Sequence, residues 1–443
     1  MRIKLSVIMP SLNVAEYIEK CMESVLSQSL DQMEIICIDA GSTDGTWEIL
    51  KKYEDLHVTG RTIKCVHSHI KSYGYQVNLG IRLAKGNYVA VLETDDYIDK
   101  QMYEYLLELA ESNNLDVAKA DFDRFYTLRN GEYYYEKIAL WNSGSHRYNT
   151  VINPRYDDYL YANDNNIWKG IYKKSFLVEN NIWLNETPGA AFQDIGFAQQ
   201  VLACAERVYY SDMSFYQYRM DRDTSSIHTP KGLSYSRQEF SRLISEPALY
   251  EKLVCKQGLY RHMAQSFMVE FRKQLVASGY NMSKKSLSND YEWFRKTLVK
   301  AVENSEFELD KLPENIREDL ECLLNHCNRF VQKVYKQEKM QKEKKDSILN
   351  KVGNRNVAVF GAGRIGNAVV RTLLQSGIKP VIIYDNNKLL WDENICGVPI
   401  SRPVKPEGNV FVIIANKMDR GNIRKQIVDM GISQEQIAFP EDF

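Results

Sequence analysis

Short apolar runs, each followed by an amphipathic helix, constrain this chain more than any other feature of its sequence. "KLSVIMP" precedes "NVAEYIEKCMESVLSQS", in which Ile18, Cys21, Met22, Val25 and Leu26 fall on one helical face. "EIICID" leads into "GSTDGTWEILKKYED", "IKCVHS" into "YGYQVNLGIRLAK", and "NYVAVLE" into "KQMYEYLLELAESN". Strands and helices that alternate in this way over residues 1–120 specify a parallel α/β domain, because crossover helices return the chain to the same edge of the sheet. Asn13 with Glu16 three residues on reads as a capping box for the first helix, and Asp99 as the cap of the fourth.

The rhythm then breaks. Residues 121–230 are irregular and rich in Tyr, Trp and Asn, with strands expected around "EYYYEKIALW" and "RVYYSDMSFYQYR" and a helix at "DIGFAQQVLACAE". Helical patterns fill 231–350 and close with the lysine-rich "KVYKQEKMQKEKKD", a solvated helix or linker. From 352 the strand–turn–helix order restarts in "VAVFGAGRIGNAVVRTLLQSG", "PVIIYD" and "VFVIIA". The expected division is therefore 1–230, 231–350 and 351–443, in keeping with a length of 443 residues, which is too long for one ordinary core.

Charge and cysteine usage exclude several classes. A formal net charge of −1 gives no global attraction to nucleic acid or to an anionic membrane. The eight cysteines are scattered, without a C-x-x-C pair, which fits buried thiols in a reducing compartment and argues against a disulfide framework or a zinc site. The apolar stretch at the N-terminus is too short for a signal peptide, and no run reaches the ~18 apolar residues of a membrane span. These features give a cytoplasmic expectation, with peripheral contact at the inner face of the cytoplasmic membrane admitted through the lysine-rich helix.

"GNYVAVLETDDYID" places Glu93, Asp95, Asp96 and Asp99 directly behind an apolar strand. Ligands of open α/β sheets bind outside the carboxyl ends of the strands, and hard dications such as Mg²⁺ take carboxylate oxygens together with substrate phosphates. Glu93-x-Asp95 suits a metal–diphosphate site better than a bare acid/base pair; taken alone, the cluster is equally compatible with a solvated turn and helix start.

The order of "SVIMPSLNVAEYIEKCMESVLSQS", "EIICIDAGSTDGT", "LAKGNYVAVLETDDYID" and "WKGIYKKSFLVENNI…FQDIGF" resembles the family 2 glycosyltransferases of GT-A fold over about the first 230 residues. The resemblance implies an α/β nucleotide-diphospho-sugar transferase domain. In it Pro10, Leu12, Asn13 and Ser42 line the nucleotide pocket, and Asp39 hydrogen-bonds the base, typically uracil. Glu93, Thr94 and Asp95 then meet the donor, and Glu93 and Asp95 bind Mn²⁺ or Mg²⁺. In "RDTSSIHT", Arg222 reaches phosphate and His228 completes the metal shell, with Arg219 as an alternative phosphate ligand. Lys71, Tyr75 and Asn78 fall where the family's donor loop enters its third helix. Asp194 falls on the catalytic base. Departures are Ala40 and Gln193, which replace acids, and Glu93, which replaces the first Asp of Asp-x-Asp. Trp141, Tyr156, Tyr159 and Trp168 either stack on sugars or pack in the core.

Gly361-x-Gly363-x-x-Gly366 lies between a strand and a helix, and Asp385 ends the next strand, the context of a Rossmann-like nucleotide site. The functional expectation is a metal-dependent inverting glycosyltransferase. It would carry a sugar from a nucleotide donor, UDP-linked, to a hydroxyl of a bacterial surface polysaccharide or lipid-linked saccharide, such as capsule, lipopolysaccharide or wall polymer. The alternative is an NAD(P)- or nucleotide-binding oxidoreductase or scaffold that uses the C-terminal domain beside a non-catalytic GT-A half. The helical middle region also offers a surface for homo-oligomers.

Overall fold

The computed structural model describes residues 2–56, 58–128, 131–222, 232–416 and 419–440. It contains two compact units, residues 1–123 with 137–331, and residues 124–136 with 332–443.

The first unit opens with β1 (Leu5–Ser11), α1 (Ile18–Leu26), β2 (Met33–Asp39), α2 (Thr46–Glu54) and β3 (Arg61–His67). It continues through α3 (Tyr73–Leu83), β4 (Tyr88–Val91), β5 (Tyr97–Ile98) and α4 (Met102–Ser112). Next come β6 (Val117–Thr127) and β7 (Tyr133–Ile138), of which residues 124–136 fall to the second unit, then β8 (Val151–Ile152), α5 (Asp158–Asn163) and β9 (Gly170–Lys173). The sheet closes with α6 (Lys174–Glu179), α7 (Gln193–Cys204) and β10 (Val208–Arg219). Strand order is β3-β2-β1-β4-β9-β6-β10-β5, with β7 on β6 and β8 on β10 outside this path. The first four strands are mutually parallel, whereas β9 runs antiparallel to both β4 and β6. Every residue of β1 and β2 is buried, as strands covered on both faces require.

Two capping expectations fail. Helix α1 starts at Ile18 without a side-chain cap. Asn13 instead takes a left-handed backbone (φ 51°) and accepts from the Thr43 amide, because its loop meets the turn after β2. Helix α4 is preceded by Gln101, and only the backbone oxygen of Asp99 reaches it.

In the stretch read as irregular, the two expected strands form as β7 and β10, and β6, β8 and β9 extend the same sheet further. Strand β6 is eleven residues long, and its buried Lys119 obscured the apolar alternation. Lys119 is tolerated because its Nζ lies 2.7 Å from Asp164 Oδ2, while Lys169 Nζ lies 3.0 Å from Asp164 Oδ1 and the Tyr210 hydroxyl donates at 2.6 Å. Burial alone would raise the Asp164 pKa, but the two ammonium groups and the hydroxyl hold it at about 2.

Helices α8 (Gly232–Ser245), α9 (Pro247–Lys252), α10 (Lys256–Ala277), α11 (Lys285–Glu303) and α12 (Glu314–Asn325) belong to the first unit. Helix α10 packs on α5 and α8, and α8 on α7, so the helical region is no separate domain. Helix α13 (Cys327–Val352) follows.

The second unit carries β11 (Asn356–Phe360), α14 (Arg364–Gln375), β12 (Ile382–Tyr384), β13 (Asn394–Ile395) and β14 (Val398–Ser401). It ends with β15 (Val410–Ile414), α15 (Arg420–Asp429) and β16 (Ile437–Ala438). The sheet order is β13-β14-β12-β11-β15-β16, parallel except at β13. This unit begins earlier than expected, since the hairpin 124–136 belongs to it. Leu128 and Tyr134 share its core with Val357, Val359 and Leu373, and Glu132 and Glu136 pair with Lys379 and Arg371. Among the described residues, no helix is long and apolar enough to cross a membrane.

Asp164→Asn strands two buried ammonium groups without a counter-charge. A loss of about 3–5 kcal/mol of unfolding free energy is expected by denaturant titration; a change below about 1 kcal/mol refutes this account of the network.

Candidate active site

The parallel register sets Ser11 beside Asp39 and Asp39 beside His67, so three loops leave one edge of the sheet together. Asp39 is fully buried, and its carboxylate accepts from the Gly41 and Ser42 amides at 3.0 and 3.1 Å and faces His67 Nδ1 at 3.3 Å. His67 in turn packs edge-on against Trp47 and His69. The Asn13 amide donates to Ser42 Oγ at 2.9 Å, which ties the loops after β1 and β2. Thr94 Oγ1 donates to the Pro10 carbonyl at 3.0 Å. Direct bonds thus join Asp39, Ser42 and Asn13, and separately Thr94 and Pro10, and Leu12 between Pro10 and Asn13 is half-buried.

The acidic cluster follows β4. Glu93 Oε1 accepts from the Tyr73 hydroxyl at 2.5 Å. Burial, with the charges of Asp95 and Asp194, pushes Glu93 up to about 8 despite the opposing Tyr73 bond and Arg222. Asp95 pairs with Arg222 Nη1 at 2.9 Å, and Arg219 Nε donates to the Asp95 carbonyl at 3.0 Å. Asp96 is buried, accepting from the Tyr216 hydroxyl and the Arg219 amide at 2.7 Å each; burial and then Asp95 raise its pKa. Asp99 is exposed and stands apart. Trp168 stacks on Tyr216 (4.2 Å between centroids) and on Tyr218 (5.0 Å), while Arg219 and Arg222 lie over the Tyr17 ring.

Asp194 sits in the first turn of α7, where Ile195 N donates to its Oδ1 at 3.0 Å. Burial pushes it up to about 6, with a further contribution from Glu239 and opposition from backbone amides. The Tyr73 and Tyr218 hydroxyls are raised first by burial, then by charges that include both Glu93 and Asp194. Tyr73 and Tyr218 are thus common neighbours of both carboxylates. Gln193, where the family has an acid, is buried and donates to Thr187 and Gly189 carbonyls.

Segment 184–189, which leads to α7, is fastened along α3. Tyr73 N donates to Gly189 O, and Gly189 N to Lys71 O, at 2.9 Å each. A Cβ at Gly74 would lie 1.9 Å from Asn185 O, so only glycine admits this approach. Asn78, expected against the donor, is placed elsewhere. It is 2 % exposed, with its amide spent on Leu184 N and O and on Glu186 Oε1. Lys71 is exposed at the start of the helix. Of the four aromatics weighed for sugar stacking, Trp141 and Trp168 are buried, Tyr159 donates to Leu140 O, and Tyr156 is exposed. His228 lies outside the described residues.

Sequence reasoning missed Tyr17, His67, Tyr73, Tyr216 and Tyr218. His67, as the last residue of a parallel strand, carried a positional signal; the tyrosines come from elements whose pairing the sequence does not disclose. Among the described residues, no three His, Cys, Asp or Glu side chains are set to hold a metal together.

In the second unit, Gly361 has φ 109°, and a Cβ at Gly366 would lie 1.8 Å from Gly361 O. Space beside Gly363 is open. Asp385 accepts from Ala362 N and Asn387 N, at 2.7 Å each, which fastens the glycine turn to the end of β12.

Residues 6–175 match the model of the family described as "Glycosyl transferase family 2". The chain is 30% identical over 285 residues to "Uncharacterized glycosyltransferase YibD" of Escherichia coli (strain K12), covering 62% of this chain and 76% of that protein. It is 28% identical over 219 residues to "Uncharacterized glycosyltransferase EpsJ" of Bacillus subtilis (strain 168), covering 48% of this chain and 60% of that relative. Among solved structures, TarS 1-349 of S. aureus in complex with UDP-GlcNAc has a TM-score of 0.54 at 17% identity, covering 76% of this chain and 92% of that one. This structural likeness concerns the fold.

Below about 8 and about 6 respectively, native Glu93 and Asp194 keep protons that an unfolded chain loses above its ordinary values of 4.5 and 3.8. Stability from this difference is complete below those ordinary values and is lost as pH rises through about 6 and then about 8. In metal-free buffer the thermal midpoint is therefore expected to fall from pH 5 to 8, and Glu93→Gln to flatten the upper part of that fall. Equal slopes for wild type and variant refute the assignment.

Proposed function

Because the chain belongs to glycosyltransferase family 2 and is a glycosyltransferase, we propose that it moves a sugar with inversion from a UDP-linked donor to a hydroxyl of a bacterial surface polysaccharide or lipid-linked saccharide. What supports this reading is the hydrogen-bonded path from Glu93 through Tyr73 and Gly189 to Gln193, next to Asp194, which joins segments about a hundred residues apart in sequence, with Asp95 and Asp194 both acting on the Glu93 charge.

Inverting transfer needs a carboxylate that takes the acceptor proton as the hydroxyl attacks the anomeric carbon. Asp194, at about 6, is ionised at neutral pH and a stronger base than an ordinary aspartate, which suits the role. On the donor side, Asp39, Ser42 and Asn13 are joined by hydrogen bonds, with His67 against Asp39 and Trp47 against His67, and we assign this group to the nucleotide. Arg222, paired with Asp95, and Arg219 next to it are assigned to the donor's phosphates. The UDP-GlcNAc complex of TarS supports a UDP-linked donor.

A divalent cation fits this donor set. Glu93 and Asp95 supply two carboxylates, and burial with mutual repulsion leaves Glu93 holding a proton that a cation would displace. With no third ligand among the described residues, the pair suits a cation that arrives with the diphosphate better than a resident one. When bound, Mn²⁺ or Mg²⁺ would stabilise charge on the departing diphosphate.

We read the second unit as a Rossmann-like module that takes a nucleotide or supports assembly, from its parallel sheet and the turn Gly361–Gly366. The oxidoreductase alternative yields to the family membership. Eight unpaired cysteines support a cytoplasmic setting, where a lipid-linked acceptor is met at the membrane's inner face.

UDP with Mn²⁺ is expected to raise the thermal midpoint, and Asp95→Ala to abolish that rise. Asp194→Asn should retain UDP binding by calorimetry while turnover of the productive donor, found by screening nucleotide-sugars, drops about 10²–10⁴-fold. In the wild type, kcat/KM should decline tenfold per pH unit below about 6, where Asp194 becomes protonated. Undiminished turnover of the asparagine variant sinks the base assignment.

A further inference from the structure

Tyr73 is anchored at both ends. It is the first residue of α3, whose Ser72 cap accepts from the Tyr75 amide, and its own amide donates to Gly189 O at 2.9 Å. Its hydroxyl donates to Glu93 Oε1 at 2.5 Å. Glu93 is pinned from behind as well, because its amide donates to the Tyr216 hydroxyl and its carbonyl accepts from Cys21 Sγ. With the backbone bonded on one side and Oε1 bonded to the hydroxyl on the other, the glutamate is held at both ends. An aspartate here, one methylene shorter on the same backbone, would fall short of the hydroxyl. The extra reach of Glu93 and the presence of Tyr73 therefore explain each other. Gly189, held by Tyr73 through its backbone, also accepts from Gln193, which immediately precedes the proposed base.

We propose that Tyr73 is a positioning residue for glycosyl transfer: its hydroxyl sets the Glu93 carboxylate toward the donor diphosphate, and its backbone registers that side of the cleft with the segment bearing Asp194. This rests on the transferase reading of the cleft and adds to it a residue that acts through another.

The test is a cycle of Tyr73→Phe, Glu93→Asp and the double variant in the full chain, read as kcat/KM for the productive nucleotide-sugar and as UDP affinity with Mn²⁺. A hydrogen bond to an ionisable group sets the scale at roughly tenfold or more. Each single variant is expected to lose at least that factor in kcat/KM, and the double variant to lose no more than either alone. Full turnover of Tyr73→Phe, or losses that multiply in the double variant, overturn the proposal. A difference infrared spectrum of the ligand-free chain separates this result from the functional reading. Tyr73→Phe should shift a carboxyl band that Glu93→Gln removes. If the wild type turns over no nucleotide-sugar and binds no UDP, the transferase reading falls. A shifted band then still sustains the Tyr73–Glu93 coupling, and an unshifted band overturns it.

Discussion

Three carboxylates crowded against the end of a buried strand repel one another and resist desolvation, and much of the first unit is arranged around that cost. Asp95 is answered by Arg222, Asp96 by the Tyr216 hydroxyl and the Arg219 amide, and Glu93 by Tyr73 and a retained proton. Replacing these acids with apolar residues would relieve a local penalty. The arrangement makes sense as a site whose electrostatics are completed by something that arrives, since a cation and a diphosphate together satisfy acids and arginines alike.

The partners come from distant parts of the chain. Tyr216 and Arg219 lie on β10, Arg222 just beyond it, Tyr73 on α3 and Asp194 on α7. What aligns them is backbone pairing. Segment 184–189 lies along α3 only because Gly74 lacks a side chain, and Asn78 and Gln193 spend their amides on holding it there. Trp168 stacks on Tyr216 and Tyr218, and the Tyr216 hydroxyl ties this aromatic group to Asp96. Tyrosine serves doubly, burying an aromatic face while its hydroxyl satisfies a carboxylate.

Much of this was legible beforehand. The parallel strands and helices of residues 1–120 follow the apolar periodicity closely, and α7, β10 and the restart near 352 appear where the patterns put them. The acidic cluster and Asp194 stood out because their residue types are conspicuous beside apolar runs. Strand β6 was not legible, since Lys119 and Asp121 interrupt its alternation and are tolerated only through partners such as Asp164 and Tyr148. Nor was Asn78's role, because a helical asparagine looks the same whether it faces a ligand or clasps a neighbouring strand of chain.

Local order was therefore set by the sequence itself: strand and helix propensities, the glycine turns and the position of acids behind β4 are properties of neighbours along the chain. Tertiary structure alone decided that hairpin 124–136 joins the C-terminal unit, that Glu93 meets Tyr73, and that the segment before Asp194 is tied to Tyr73 through Gly189. The physical reason is range. Periodicity reports which face of one element is buried, whereas hydrogen bonds and charge pairs depend on which elements close packing brings within about 3 Å of one another.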